Sequence, residues 1–161
     1  MYVDQQIEFS DAQVLTASAI STNVYDTLTT TTGGALPPAA SPNIRSDAPP
    51  GSGAYLVIST PVGITDAGSD ATLQADFVSA DDPALTTGVV VHFSTGVLAF
   101  GAFSAPGSMM AAVGIPTGFY KRYIGIKYTV AGGPLTAGAI DAFVTTNVQW
   151  NRVYKSGFTI Q

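Results

Sequence analysis

The chain has 161 residues, of which 46% are hydrophobic and only 11% are charged, and its formal net charge is −5. A chain this acidic and this poor in Lys and Arg lacks the positive surface that neutralises phosphates, which argues against nucleic-acid binding. It has no cysteine, so disulfides, thiolate chemistry and cysteine-ligated zinc are excluded. The abundance of Gly and Pro favours strands and turns, and the length indicates one domain over residues 1–161.

The N-terminal part of the chain predicts short strands and then a long irregular segment. Alternating apolar and polar residues over Met1–Phe9 predict a half-buried strand, and the weaker pattern of Gln13–Asp26 is compatible with another strand or two. Residues 27–53 contain five prolines and many small residues, which indicates a long Thr/Pro/Gly-rich loop or arm within the domain. Loops of this length in compact domains are usually functional or disordered, so we hypothesise that it reaches a neighbouring subunit.

The middle of the chain predicts further buried strands. The expected strands are Ala54–Thr60, one with Leu73, Ala75 and Phe77 facing inward, one with Val89, Val91 and Phe93, then Val97–Phe103 and Met109–Ile115. The lack of charge between Asp82 and Lys121 could suggest a membrane segment, but Ser, Thr, Pro and Gly interrupt it repeatedly. A spanning helix needs about 20 predominantly apolar residues, so we expect strands and no membrane association. No basic residue precedes Arg45, which disfavours a secretory or transit peptide.

The stretch Arg122–Val144 has the clearest pattern of the chain. Ile124, Ile126, Tyr128 and Val130 share one face, and after Gly132-Gly133-Pro134 the alternation resumes, with Ile140, Ala142 and Val144 on one face. Period two on both sides of a Gly/Pro turn predicts a β-hairpin.

Together these segments give roughly eight short strands and no amphipathic helix or fixed-period repeat. The sequence therefore predicts an all-β, single-domain antiparallel β-sandwich, jelly-roll-like, with one long loop.

Residues suited to catalysis or to binding a metal are few. His92 is the only histidine, lies in a strand-like run and has no nucleophile-elbow serine to accompany it, so we expect a satisfied core or interface residue. Two acidic groups flank turns, Asp66 with Asp70 and Asp81-Asp82-Pro83, and aspartate is an ordinary turn residue. Calcium binding is the alternative interpretation, but the spacing of these carboxylates does not match the known calcium-binding loop. We therefore expect no enzyme activity, no catalytic residue, no metal and no cofactor.

Aromatic and basic residues are concentrated in the last third, where five of the 6 basic residues lie between Lys121 and Lys155. Two interpretations are open: core aromatics with a solvated basic edge, or a protein-binding face, since Tyr, Trp and Arg are the favoured hot-spot types. Stacking of single-stranded nucleic acid is disfavoured by the overall acidity. The candidate interface residues are Arg45, Tyr120, Arg122, Trp150, Arg152 and Tyr154.

Two segments carry a family resemblance. Asp4–Thr27 (DQQIEFSDAQVLTASAISTNVYDT) and Arg122–Gly138 (RYIGIKYTVAGGPLTAG) resemble the two ends of the Bbp16-type capsid cement proteins of tailed bacteriophages. Ala71-Thr72-Leu73 and Ser79–Asp82 match the middle region of that family more loosely. The chain departs from the family at Thr27–Gly53, which is longer and richer in Thr and Pro than expected.

The resemblance implies a jelly-roll-like sandwich that decorates the outside of a virion head after synthesis in the host cytoplasm. Its implied partners are a major capsid protein with the HK97-type fold and a second copy of itself, as a homodimer. A different class of function, a carbohydrate- or receptor-binding β-sandwich of a phage fibre or secreted assembly, is the alternative.

Overall fold

Regular structure in the described part of the chain is almost entirely β-strand. The computed structural model describes residues 8–27, 54–116 and 120–145, and within these ranges no helix is long and apolar enough to cross a membrane. The strands are β1 (Glu8–Val14), β2 (Ala19–Ile20), β3 (Tyr25–Asp26), β4 (Tyr55–Asp66), β5 (Thr72–Ala80), β6 (Val90–Ser94), β7 (Leu98–Ala99), β8 (Ser108–Gly114), β9 (Tyr123–Ala131) and β10 (Leu135–Thr145).

The strands form two antiparallel sheets. Sheet A has the order β1-β10-β4-β8, and sheet B has the order β2-β9-β5-β6, with β3 also paired to β9 and β7 also paired to β5. The pairs are nested along the chain: β1 with β10, β2 and β3 with β9, β4 with β8, and β5 with β6 and β7. Eight strand positions wound in this nested order are a jelly roll, so the predicted all-β sandwich and its jelly-roll character are confirmed.

The core lies between the two sheets and consists of the residues that alternate inward. On β5 and β9 the cross-strand pairs Leu73–Val130, Ala75–Tyr128 and Phe77–Ile126 all face it. Sheet A supplies the opposite wall, from β4, β10 and β8: Leu56, Ile58, Ile140, Ala142, Val144 and Ala111. The inward face predicted for β5 and the shared face predicted for Ile124, Ile126, Tyr128 and Val130 on β9 are therefore confirmed.

A directed chain of hydrogen bonds joins the two sheets inside the core. The Ser10 hydroxyl on β1 donates to Gln13 Oε1 at 2.7 Å and lies 2.9 Å from the Tyr128 hydroxyl on β9. Because a serine hydroxyl has a single proton, the Tyr128 hydroxyl must donate to Ser10. Gln13 Oε1 also accepts the Thr22 N–H at 3.0 Å, and Gln13 Nε2 donates to the Ile20 carbonyl at 2.8 Å, which ties β1 to the region of β2.

The predicted hairpin over Arg122–Val144 is wrong in its pairing, although its alternation is right. The strand before the turn, β9, belongs to sheet B, while the strand after it, β10, belongs to sheet A, so in the described residues the two face each other across the core. The chain changes sheet at Gly132, whose φ of 76° is unfavourable for residues with a side chain, and a Cβ there would lie 2.8 Å from the Asp70 carbonyl oxygen. Alternating apolar residues predict one buried face per strand both in a hairpin and in this arch, where the chain passes from one sheet to the other, so the pattern could not distinguish the two.

Some predicted segments end elsewhere. Val97–Phe103 is not one strand, because β7 covers only Leu98–Ala99 and a 3-10 turn follows at Phe100–Ala102. The described part of the first strand runs from Glu8 to Val14, beyond the predicted end at Phe9. Apart from Thr27, the predicted long loop of residues 27–53 lies outside the described residues, so its role as an arm stays a prediction.

Candidate interaction surface

A line of aromatic rings runs from the core to the surface and includes one of the candidate interface residues. Phe9 on β1 packs edge-on against Phe77 on β5, with the ring centroids 5.8 Å apart. Phe77 then contacts both His92 on β6 and Tyr120, at 6.2 and 5.9 Å. Tyr120 stacks on His92 with centroids 3.9 Å apart, and its hydroxyl donates to the Pro116 carbonyl at 2.6 Å. Tyr120 is therefore half-buried, with its position determined by packing.

His92 has the environment that was expected of a lone strand histidine. Its Nε2 lies 2.7 Å from the Ser79 hydroxyl, and Ser79 is completely buried. Burial lowers the pKa of His92, so the imidazole is neutral near pH 7. Because Ser79 has no exposed surface, its hydroxyl is not placed to meet a substrate, and the Ser79–His92 pair works as a structural contact between β5 and β6.

Arg122 lies just before β9 and is engaged within the molecule. Its guanidinium binds the Asp26 carboxylate in two parallel contacts, Nε to Oδ1 and Nη2 to Oδ2, each 2.9 Å long. It also lies over the Tyr123 ring, 4.8 Å from the centroid. The hydrogen bonds to Asp26 raise the pKa of Arg122, and the pair forms a surface contact between β3 and the residue before β9.

The remaining candidate interface residues, Arg45, Trp150, Arg152 and Tyr154, lie outside the described residues, so their grouping with Tyr120 and Arg122 stays a prediction. Of the other aromatics of the last third, Tyr128 is only 1% exposed and belongs to the core. The interpretation as core aromatics therefore holds for Tyr128, while Tyr120 is half-buried and in contact with β6.

The acidic turns have the ordinary turn chemistry that their sequence indicates. Asp66 Oδ2 accepts the backbone N–H groups of Asp70 and Ala71, each at 3.1 Å. Asp82 in the same way accepts the N–H groups of two following threonines, at 3.0 and 2.6 Å. These backbone hydrogen bonds lower the pKa of both carboxyls. Among the residues that the structure describes, no group of three or more His, Asp or Glu side chains is placed to hold a metal ion.

Within the described residues, one side of the sandwich is formed by strands that contain no charged side chain, and the sequence alone did not reveal it as a surface. Contacts between β1 and the region of β2 place those two edges together, so the opposite edges, β8 of sheet A and β6 of sheet B, share the other side. We call the surface formed by β6, β7 and β8 the uncharged flank. None of the 6 basic and 11 acidic residues lies between Pro83 and Tyr120, a stretch that includes all three strands.

The uncharged flank also exposes apolar side chains. Val90 and Val91 on β6 are 40% and 55% exposed, Val97 before β7 is 70% exposed, and Met109 on β8 is 43% exposed. In the sequence, the uncharged stretch of residues 83–120 was the feature that pointed to this surface. Only the strand order shows that the strands of this stretch lie on one side.

The opposite edge, at β1, is acidic. Burial, together with the nearby Asp11 and Asp141 carboxylates, raises the pKa of Glu8. Asp141 Oδ1 accepts the Ala12 N–H at 2.7 Å, where β1 departs from regular pairing with β10. The two sides of the sandwich thus differ sharply in charge.

Comparison with protein-family models gave a match over most of the chain. The family model described as Bbp16 matches residues 9–144, which include all ten strands except the ends of β1 and β10. A search of curated proteins found no match.

Proposed function

Because the chain belongs to the Bbp16 family, we propose that it is a structural virion protein that decorates and cements the outside of a tailed-phage head. The family membership carries this proposal, since the sequence resembles Bbp16-type proteins that are capsid cement proteins. In this role the protein lies on the outer capsid surface and bridges subunits of a major capsid protein with the HK97-type fold. It also associates with a second copy of itself.

The fold and the composition support the proposal. A jelly roll whose two sheets share one core, which contains Phe77, Ile126 and Ile58, is a packed unit suited to holding two neighbouring subunits together. Charged residues are only 11% of the chain, and depletion of charge is the compositional mark of interface cores. A surface that is largely covered in the assembled particle has little need of charges.

The mechanism follows from mass action and multiple contacts. A protein that binds the assembled shell but not its separated subunits stabilises the shell, by about 2.7 kcal/mol per site when its free concentration is 100 times Kd. Once one contact to the capsid has formed, the second is intramolecular and benefits from a high effective concentration. Modest individual contacts therefore suffice for firm retention.

The direct test is binding to heads that lack the protein. Purified protein should co-sediment with such heads, saturate at a defined copy number and raise the temperature at which the heads release DNA. Separated capsid subunits should bind it far more weakly than heads do. No saturable binding to heads, together with specific binding on a glycan array, would replace the proposal by the carbohydrate-binding alternative.

A further inference from the structure

The two sides of the sandwich differ in how their strand edges are protected from pairing. At the acidic side β1 carries Glu8 and Asp11 and has two register shifts against β10, and β2 and β3 are two residues long each. Charges, irregular pairing and short strands are the usual means by which proteins prevent edge-to-edge association. These edges are therefore poor templates for another chain.

The edge at β6 lacks most of this protection. The strand Val90–Ser94 has five residues with neither charge nor proline, and only one register shift interrupts its pairing with β5. It is the last strand of sheet B in the described residues, so the backbone groups on its outer side face away from the sheet. Val90 and Val91 are exposed on it, and such an edge readily accepts another strand.

Charge decides which partner fits this edge. Each copy has a net charge of −5, so two copies repel each other wherever their acidic surfaces approach. On the uncharged flank no like charges meet, and an edge without charge can pair antiparallel with its own copy about a two-fold axis. A second copy of this chain satisfies both conditions.

We propose that the uncharged flank is the homodimer interface, with β6 of one copy beside β6 of the other so that sheet B continues across the two-fold axis. This inference deepens the self-association included in the proposed function, and it is tested in solution without capsids. The acidic β1 sides then lie at the far ends of the dimer, where they are free for contacts with another partner.

The chain offers a matched pair of variants for the test. Val91 on β6 and Val62 on β4 are both strand valines, 55% and 56% exposed, but Val62 lies on β4, which is not one of the three strands that form the flank. Val91→Lys and Val62→Lys therefore change net charge and exposed surface equally. Sedimentation velocity over a concentration series should show a wild-type dimer and a Val62→Lys dimer. Val91→Lys should weaken the dimer by about a hundredfold or more, because like charges juxtaposed across an interface are strongly unfavourable.

A second measurement does not require the folded protein to accept a lysine at residue 91. The chain has no cysteine, so Val91→Cys and Val62→Cys each provide a single reactive thiol. A short bismaleimide should cross-link Val91→Cys into dimers and leave Val62→Cys monomeric on a denaturing gel. Added salt should leave the dimer equally tight or tighter, since it screens repulsion between acidic copies.

Three results would overturn the inference. They are a wild-type protein that stays monomeric at the concentrations that saturate heads, a Val91→Lys dimer as tight as that of Val62→Lys, and equal cross-linking of the two cysteine variants. A monomer whose binding to heads is lost in Val91→Lys alone would assign the flank to the capsid instead. Failure of all variants and of the wild type to bind heads, with the dimer intact, would count against the cement function and leave the interface standing.

Discussion

The buried hydrogen-bond chain from Tyr128 through Ser10 to Gln13 allows a quantitative test of how the two sheets are held together. Tyr128→Phe removes one hydroxyl from a side chain that is 1% exposed and leaves Ser10 with its bond to Gln13. We expect a loss of about 0.5–1.5 kcal/mol in the free energy of unfolding, the usual net value of one hydrogen bond.

Ser10→Ala is the more damaging change at the same contact. It leaves the Tyr128 hydroxyl buried and without its acceptor, and it removes a donor to Gln13 Oε1. A buried polar group left without a partner costs about 1–3 kcal/mol. The double variant lacks both hydroxyls, so its loss should be smaller than the sum of the two single losses, with a coupling of about 1 kcal/mol.

Equilibrium urea denaturation of the four proteins measures these values, and an unchanged m-value shows that only stability has altered. Burial also raises the pKa of Tyr128. Above about pH 10 the unfolded chain therefore loses a proton that the folded chain keeps, and stability should fall as pH rises, less steeply in Tyr128→Phe. Losses that add within about 0.3 kcal/mol would refute the directed chain of hydrogen bonds.

Three further predictions concern the aromatic line, the surface ion pair and the histidine. Phe77→Ala should cost about 3–5 kcal/mol in urea denaturation, because a completely buried ring in contact with three others is removed; a loss below about 1 kcal/mol would contradict this packing. Arg122→Ala should hardly move the urea midpoint, since its contacts with Asp26 lie at the surface, and a large shift would show that the pair holds β3 in place. Burial lowers the pKa of His92, so below about pH 6.5 the unfolded chain binds a proton more readily than the folded chain does. The free energy of unfolding should therefore fall as the pH is lowered from 7.5 to about 5.5. An equally steep fall in His92→Gln would show that another group causes it.

Several features were predictable because they depend on neighbouring residues only. Alternation correctly placed Leu73 and Phe77 inward on β5, since successive side chains of a strand point to opposite faces whatever the strand pairs with. The turn chemistry of Asp66 and Asp82 was predictable for the same reason, because an aspartate bonds to backbone groups a few residues further on.

The candidate surface was less predictable. Residue type alone made Tyr120 and Arg122 candidate interface residues, and the structure shows their contacts with His92 and Asp26. Those contacts join residues far apart in the chain, and no local pattern encodes them. The charge-free stretch after Asp82 was visible in the sequence, but it became a surface only when the strand order placed β6 and β8 on one side.

The sequence by itself determined that this protein is built from strands, which faces of those strands are buried, and that its charge is unevenly distributed. Only the tertiary structure decided that the strands around Gly132 form an arch between two sheets, that β1 pairs with β10 at the other end of the chain, and that the uncharged strands share one side. The reason is that burial of a strand face follows from the strand's own alternation. Pairing depends on which backbone edges meet, and that choice is made by the packing of the whole sandwich.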